Sequence, residues 1–117
     1  MERSPDAKLL RIFLGENDKV HGRPMYEEIV FAAKKRGLRG ATVLRGIMGF
    51  GANSAVHTTK LLELSSDLPL IVEIVDTEEK IMAFTEEVSQ LFEDTKTGGL
   101  ITLEKADVIF YRSGKQH

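Results

Sequence analysis

The stretch Leu68-Pro69-Leu70-Ile71-Val72-Glu73-Ile74-Val75-Asp76 decides the fold. Leu68 to Val75 is short, almost continuously apolar and rich in β-branched residues, as a buried strand is. The period then changes: Ile81, Phe84, Val88, Leu91 and Phe92 recur at helical spacing and form one apolar stripe. Asp76, with Glu79 three residues on, resembles a capping box opening that helix, Asp standing where Ser or Thr is usual. Thr97-Gly98-Gly99 breaks the chain, and Leu100 to Tyr111 returns as one long or bulged strand.

Upstream, Lys8 to Leu14 is an apolar run bounded by Gly15 and reads as the first strand. A polar loop from Gly15 to Arg23 follows, and Pro24 stands where a first helical residue is well tolerated. Met25, Tyr26, Ile29, Val30 and Ala33 give the first helix its apolar face, and Gly37 ends it. Ala41 to Met48 is the second strand, and a polar, glycine-bearing segment, 49–67, leads to the third. The order is βαββαβ. It predicts an α+β, ferredoxin-like sandwich, an antiparallel four-stranded sheet with two helices on one face, as one domain over residues 1–117.

Strand alternation assigns the faces. Leu10, Ile12 and Leu14, with Leu70, Val72 and Ile74, are wholly apolar sets that belong under the helices. Leu9, Arg11, Phe13 and Ile71, Glu73, Val75 repeat apolar, charged, apolar on the other face, and Val43, Arg45 and Ile47 form a similar set on the second strand. A monomer would expose Leu9, Phe13, Ile71 and Val75 as a patch, which calls for self-association, with Arg11 and Glu73 needing partners.

Composition removes whole classes of function. The hydrophobic fraction is 42% and the charged fraction 29%, which is globular rather than disordered. A net charge of −2 without a basic run gives no footprint for nucleic acid. No apolar stretch is long enough for membrane insertion, and residues 1–6 lack the apolar core of a signal peptide. The absence of cysteine excludes disulfides and thiolate metal sites and fits a cytoplasmic location. RNA recognition on this fold needs aromatics on the central strands, and Leu68 to Val75 has none. Gly15-Glu16-Asn17-Asp18-Lys19 does not match the phosphate loop of acylphosphatases.

The βαββαβ order brings three loops to one end of the sheet, where Gly15, Gly22, Gly46, Gly49, Gly51, Gly98 and Gly99 collect. Gly49-Phe50-Gly51-Ala52 is the sharpest candidate, since two glycines flanking Phe50 can expose successive amides to a phosphate. A flexible turn explains the same residues. It is neither a Walker A loop nor a dinucleotide fingerprint. His57 and Lys60 are weaker phosphate-contact candidates, and His21 with Glu16 and Asp18 sketches a metal site without ligand pairs at helical spacing. No nucleophile–base arrangement stands out, so no catalytic residue is assigned.

The run Arg45-Gly46-Ile47-Met48-Gly49-Phe50-Gly51-Ala52 has company in His57-Thr58, Lys60, Leu64-Ser65, Asp67-Leu68-Pro69, Glu73-Ile74-Val75-Asp76 and Glu79-Lys80-Ile81. Together with Gly15-Glu16-x-Asp18 and Gly22-x-Pro24-x-Tyr26-Glu27, they resemble a family of short PII-like proteins of poorly defined function. More broadly the chain is similar to PII signalling proteins, homotrimers that bind adenine nucleotides (ATP, ADP or AMP) in clefts between subunits. The resemblance implies a non-enzymatic regulator needing no cofactor, with a target protein as partner and the 49–67 loop as the ligand-responsive element. It implies nucleotide contacts from Gly49, Phe50, Gly51 and Ala52 at the base of that loop and from Gly98, Gly99 and Leu100 in a second loop. Arg112, within Arg112-Ser113-Gly114, resembles an arginine that reaches a neighbour's phosphates. The second loop lacks the family's phosphate-binding lysine, and Ala52-Asn53 replaces the usual Arg-Gln. Two alternatives stay open: a metal-responsive trimer like the CutA proteins, and a phosphoryl-hydrolysing enzyme on the same scaffold.

Overall fold

The computed structural model describes residues 2–51, 57–58 and 67–114. Strand β1 (Glu2–Gly15) is followed by a small hairpin, β2 (Lys19–Val20) and β3 (Arg23–Pro24), and then helix α1 (Met25–Lys35). Strand β4 (Thr42–Arg45) comes next, then a second two-stranded ribbon, β5 (Met48–Gly49) with β6 (His57–Thr58). The chain closes with β7 (Pro69–Asp76), helix α2 (Glu78–Thr95) and β8 (Leu100–Tyr111). The main sheet has the order β4-β7-β1-β8, each neighbouring pair antiparallel, which is the ferredoxin-like arrangement.

Alternation along the strands builds the core as expected. Leu10, Ile12 and Leu14 lie beside Ile74, Val72 and Leu70 in register, and all six are buried with Met25, Ile29 and Ala33 of α1 and Ile81, Phe84 and Val88 of α2. Each large aliphatic in this set contributes about 1.5–3 kcal/mol by leaving water. The second strand departs from its expected phase and length. Val43 and Arg45 stand opposite Val72 and Leu70, on the helix-covered face, and Thr42 and Leu44 take the open face. Ile47 lies beyond the strand and is exposed.

The open face carries Leu9, Arg11 and Phe13 in register with Val75, Glu73 and Ile71. Its central charges pair within the chain: Arg11 Nε donates to Glu73 Oε2 at 2.9 Å, and Arg11 also pairs with Glu104 of β8. Leu9, Phe13, Ile71 and Val75 are half-buried around this network.

The first strand begins earlier than its apolar pattern, because residues 2–7 run past the end of β7 and pair only with β8. Register shifts between Glu2 and Ser4, and between Ser4 and Ala7, accommodate Pro5 and Asp6 in this arm. The loop before α1 contains a tight hairpin in which His21 and Gly22 both have positive φ, 52° and 78°, as a two-residue turn of the favoured hand requires.

Helix α2 is capped by Thr77, whose side chain accepts from the backbone N–H of Lys80 at 3.4 Å, so the capping box built on Asp76 does not form. Asp76, 1% exposed, has other partners: it accepts from the backbone N–H groups of Thr77 at 2.7 Å and Arg39 at 2.9 Å, and Arg39 Nε lies 3.8 Å away. Arg39 also donates to Ser4 Oγ at 3.2 Å and sits over the Tyr111 ring, 4.9 Å from its centroid. One buried carboxylate thus ties the turn after α1, the end of β7 and the β1–β8 arm together.

Candidate functional site

The strand registers place Phe13 opposite Leu100, Gly15 opposite Pro69, and Arg45 opposite Leu70. The three loops therefore share one end of the sheet, as the element order requires. A four-residue turn after β1 organises that end. Gly15 N–H donates to Asp18 Oδ2 at 2.8 Å and Asp18 N–H returns to the Gly15 carbonyl at 3.2 Å. Glu16 N–H donates to the Leu68 carbonyl at 2.9 Å, Asn17 N–H to Asp67 Oδ1 at 2.9 Å, and the Glu16 carboxylate pairs with Arg45 at 3.1 Å. The turn thereby grips both feet of the 49–67 segment, at Arg45 on one side and at Asp67–Leu68 on the other. Burial pushes the Asp18 carboxyl up from its ordinary range, the Gly15 N–H opposes this, and the Asp67 charge adds to it.

The expected site residues separate by what holds each glycine. A side chain at Gly46 would place Cβ 2.9 Å from Pro69 Cγ, and one at Gly49 would place it 3.2 Å away. At Gly99 it would overlap the Phe92 ring. These three are packing glycines first. Gly51 differs, since a Cβ there would meet nothing within 4 Å among the described residues. Gly49 pairs with His57 in the β5–β6 ribbon, and Phe50 beside it is 68% exposed. Ala52 and Lys60 lie outside the described residues, as does the His57 side chain.

The two glycine turns occupy the same end but opposite edges of the sheet. Arg45 closes the β4 edge and Leu100 opens the β8 edge, with β7 and β1 between, a separation of roughly 14 Å at the strand spacing. Thr97, Gly98 and Gly99 line a cavity of about 500 Å³ with Phe92, Ser89 and Lys96. Lys96, the left-handed residue that ends α2 (φ 56°), adds a cation that the sequence reading missed, because it assigned the helix stop to the glycines. Its position immediately before Thr97-Gly98-Gly99 was the available signal.

Arg112 is not brought to this end. It follows the last residue of β8, Tyr111, which pairs with Glu2, and its guanidinium lies over the Phe110 ring at 5.4 Å. It lies twelve positions beyond Leu100 along this extended strand, roughly 40 Å at about 3.3 Å per residue. Near it, on the open face, a cavity of about 360 Å³ is lined by Leu9, Arg39, Thr42, Glu73, Val75 and Tyr111, among others. Among the described residues no three His, Asp or Glu side chains are placed to hold a metal ion, and no helix is long and apolar enough to cross a membrane.

Residues 7–108 match the DUF190 family, described as Uncharacterized ACR, COG1993. A UPF0166 protein of Aquifex aeolicus is 48% identical over 103 residues, covering 88% of this chain and 93% of its own length. A UPF0166 protein of Methanocaldococcus jannaschii is 40% identical over 102 residues, covering 87% and 91%. In fold, the chain is similar to CPII, a nitrogen regulatory PII-like protein from Thiomonas intermedia K12, in its structure bound to ADP, AMP and bicarbonate. That match has a TM-score of 0.68 at 19% identity and covers 92% of this chain and 91% of that one.

Proposed function

We propose that this chain, which belongs to the DUF190 family, is a non-enzymatic regulator that binds an adenine nucleotide between the subunits of a homotrimer. The observation that carries this reading is its PII-like fold, shared with a protein whose structure holds ADP and AMP. The details of the glycine end support it. Gly51 is open to solvent with room for an approaching ligand, and Lys96 stands beside Gly98 and Gly99. Phosphate contacts come from Gly49 to Ala52 and from Gly98 to Leu100, with His57 and Lys60 as further candidates on the 49–67 loop. Arg112, held at the far end of its own chain, comes to a nucleotide only from another copy. The turn at Gly15–Asp18, which grips both feet of the loop, gives the ligand a mechanical route to it: a nucleotide favouring one arrangement of the loop base shifts the whole loop's population. That loop then presents a nucleotide-dependent surface to a cytoplasmic target protein.

Calorimetric titration of the protein with ATP, ADP and AMP tests the reading. Saturable heat is expected with at least one of the three, and competition among those that bind. Absence of both for all three would overturn it.

The oligomer is tested separately. The half-buried patch of Leu9, Phe13, Ile71 and Val75 continues onto exposed Leu44 and Leu100, so a lone chain leaves a largely apolar sheet face in water. Sedimentation equilibrium at micromolar concentration is expected to give about 39 kDa, three times the chain mass of 13.1 kDa. A persistent monomer would refute self-association through this face, and a dimer would refute the trimer.

A further inference from the structure

On the solvent side of the helix layer, α1 and α2 leave a groove of about 460 Å³ between them. Its floor is apolar: Ile29, Phe84 and Val88 are nearly inaccessible, and half-buried Ala32 and Leu91 continue the surface upward. The β2–β3 hairpin lines it too, through Val20 and His21. The charged side chains lining it are all carboxylates: Glu28 from α1, and Glu87 and Asp94 from α2.

Two of these three are already engaged. Arg23 lies 3.8 Å from Glu28, and Arg36 donates to Glu87 at 2.9 Å, both arginines standing outside the groove. Asp94 is different. Its Oδ1 accepts from the Gln90 amide at 2.8 Å, and it has no ion pair among the described residues. It also sits in the last turn of α2, which carries no basic residue, so the negative end of the helix dipole adds to its own charge. Lys96, the nearest cation in sequence, lines the other cavity, beside Gly98 and Gly99.

We propose that this groove is a binding site for a small organic cation with an apolar body, the body lying on Ala32 and Leu91 above the buried Ile29 and Val88, and the cationic head meeting Asp94. The volume is that of a small-molecule pocket rather than of a seat for a helix. The carboxylates disfavour an anion, and the apolar floor disfavours a polyamine, whose charges are spread along its length. The site lies on the helix layer and shares no lining residue with the nucleotide contacts proposed above.

Methyl-resolved NMR titration of the full chain at neutral pH tests it with three probes of one shape: 2-phenylethylamine, 3-phenylpropionate and 2-phenylethanol. The amine is expected to shift the Ile29, Val88 and Leu91 methyl resonances saturably, and to bind about three- to fivefold more tightly than the alcohol. Asp94→Asn should lower amine affinity to that of the alcohol while leaving the alcohol unchanged. Ala32→Phe, which fills the groove, should abolish the shifts; should that variant fail to fold, Asp94→Asn, at an exposed position, decides alone. Equal affinity for all three probes, an amine response that survives Asp94→Asn, or no saturable shift at these methyls would overturn the proposal.

Discussion

Replacing Asp76 by alanine is expected to lower the free energy of unfolding by about 3–5 kcal/mol, the largest loss from a polar side chain among the described residues. The carboxylate is 1% exposed, and its removal strands two backbone N–H groups and takes away a carboxylate lying 3.8 Å from the Arg39 guanidinium, whose side chain is only 15% exposed. Asp76→Asn keeps an acceptor but loses the charge, so its effect should be smaller, about half. Urea denaturation at one fixed protein concentration measures both, since an assembled protein's apparent stability varies with concentration. Because the two residues share these contacts, Asp76→Ala combined with Arg39→Ala should cost less than the sum of the two single losses. A change below about 1 kcal/mol for Asp76→Ala would mean that the hub does not hold the sheet end together.

The second large effect concerns ligand affinity. Gly51→Val and Arg112→Ala are each expected to weaken nucleotide binding ten- to a hundredfold, about 1.5–3 kcal/mol for the loss of close backbone approach or of one charge-assisted contact. Gly51 suits this experiment because a side chain there meets nothing within 4 Å among the described residues, so the fold should survive. Gly99→Val is the contrasting control: a side chain there runs into Phe92, and its damage should appear as lost stability before any loss of affinity. Isothermal titration alongside thermal denaturation separates the two outcomes. Unchanged affinity in both the Gly51 and Arg112 variants would move the site elsewhere, even with a nucleotide bound.

Much of the architecture was legible where one face of an element is buried. Leu10, Ile12 and Leu14 alternate with Leu9, Arg11 and Phe13, and that contrast identified both the strand and its inward face. Where little apolar surface is buried the signal fades, which is why the segment before Ala7 did not read as strand: Arg3, Pro5 and Asp6 are exposed, and this arm pairs with β8 alone. Asp76 misled for another reason. A local pattern offered it Glu79 as partner, but Arg39, distant in sequence and adjacent in space, takes the carboxylate instead. Lys96 was missed because a left-handed residue at a helix end is usually glycine, and two glycines stood just beyond it. The resemblance placed Arg112 at a neighbour's phosphates. What the residues around it did not disclose is its distance from the glycine turns, which the register of β8 sets, since Tyr111 pairs with Glu2 at the opposite end.

The position of β1 in the sheet also sets the order in which the molecule can be made. It leaves the ribosome before the strands it pairs with, yet it is an inner strand, and Leu10 has its two partners in Ile74 and Leu103. Until residues 69–76 emerge, the nascent chain carries a largely apolar strand with both hydrogen-bonding edges unsatisfied, and until residues 100–111 emerge one edge stays open. Co-translational folding can therefore form α1 and its hairpin early but must leave the centre of the sheet until residues 69–76 and then 100–111 have emerged, and in that interval a chain of this topology is most exposed to pairing with another copy of itself.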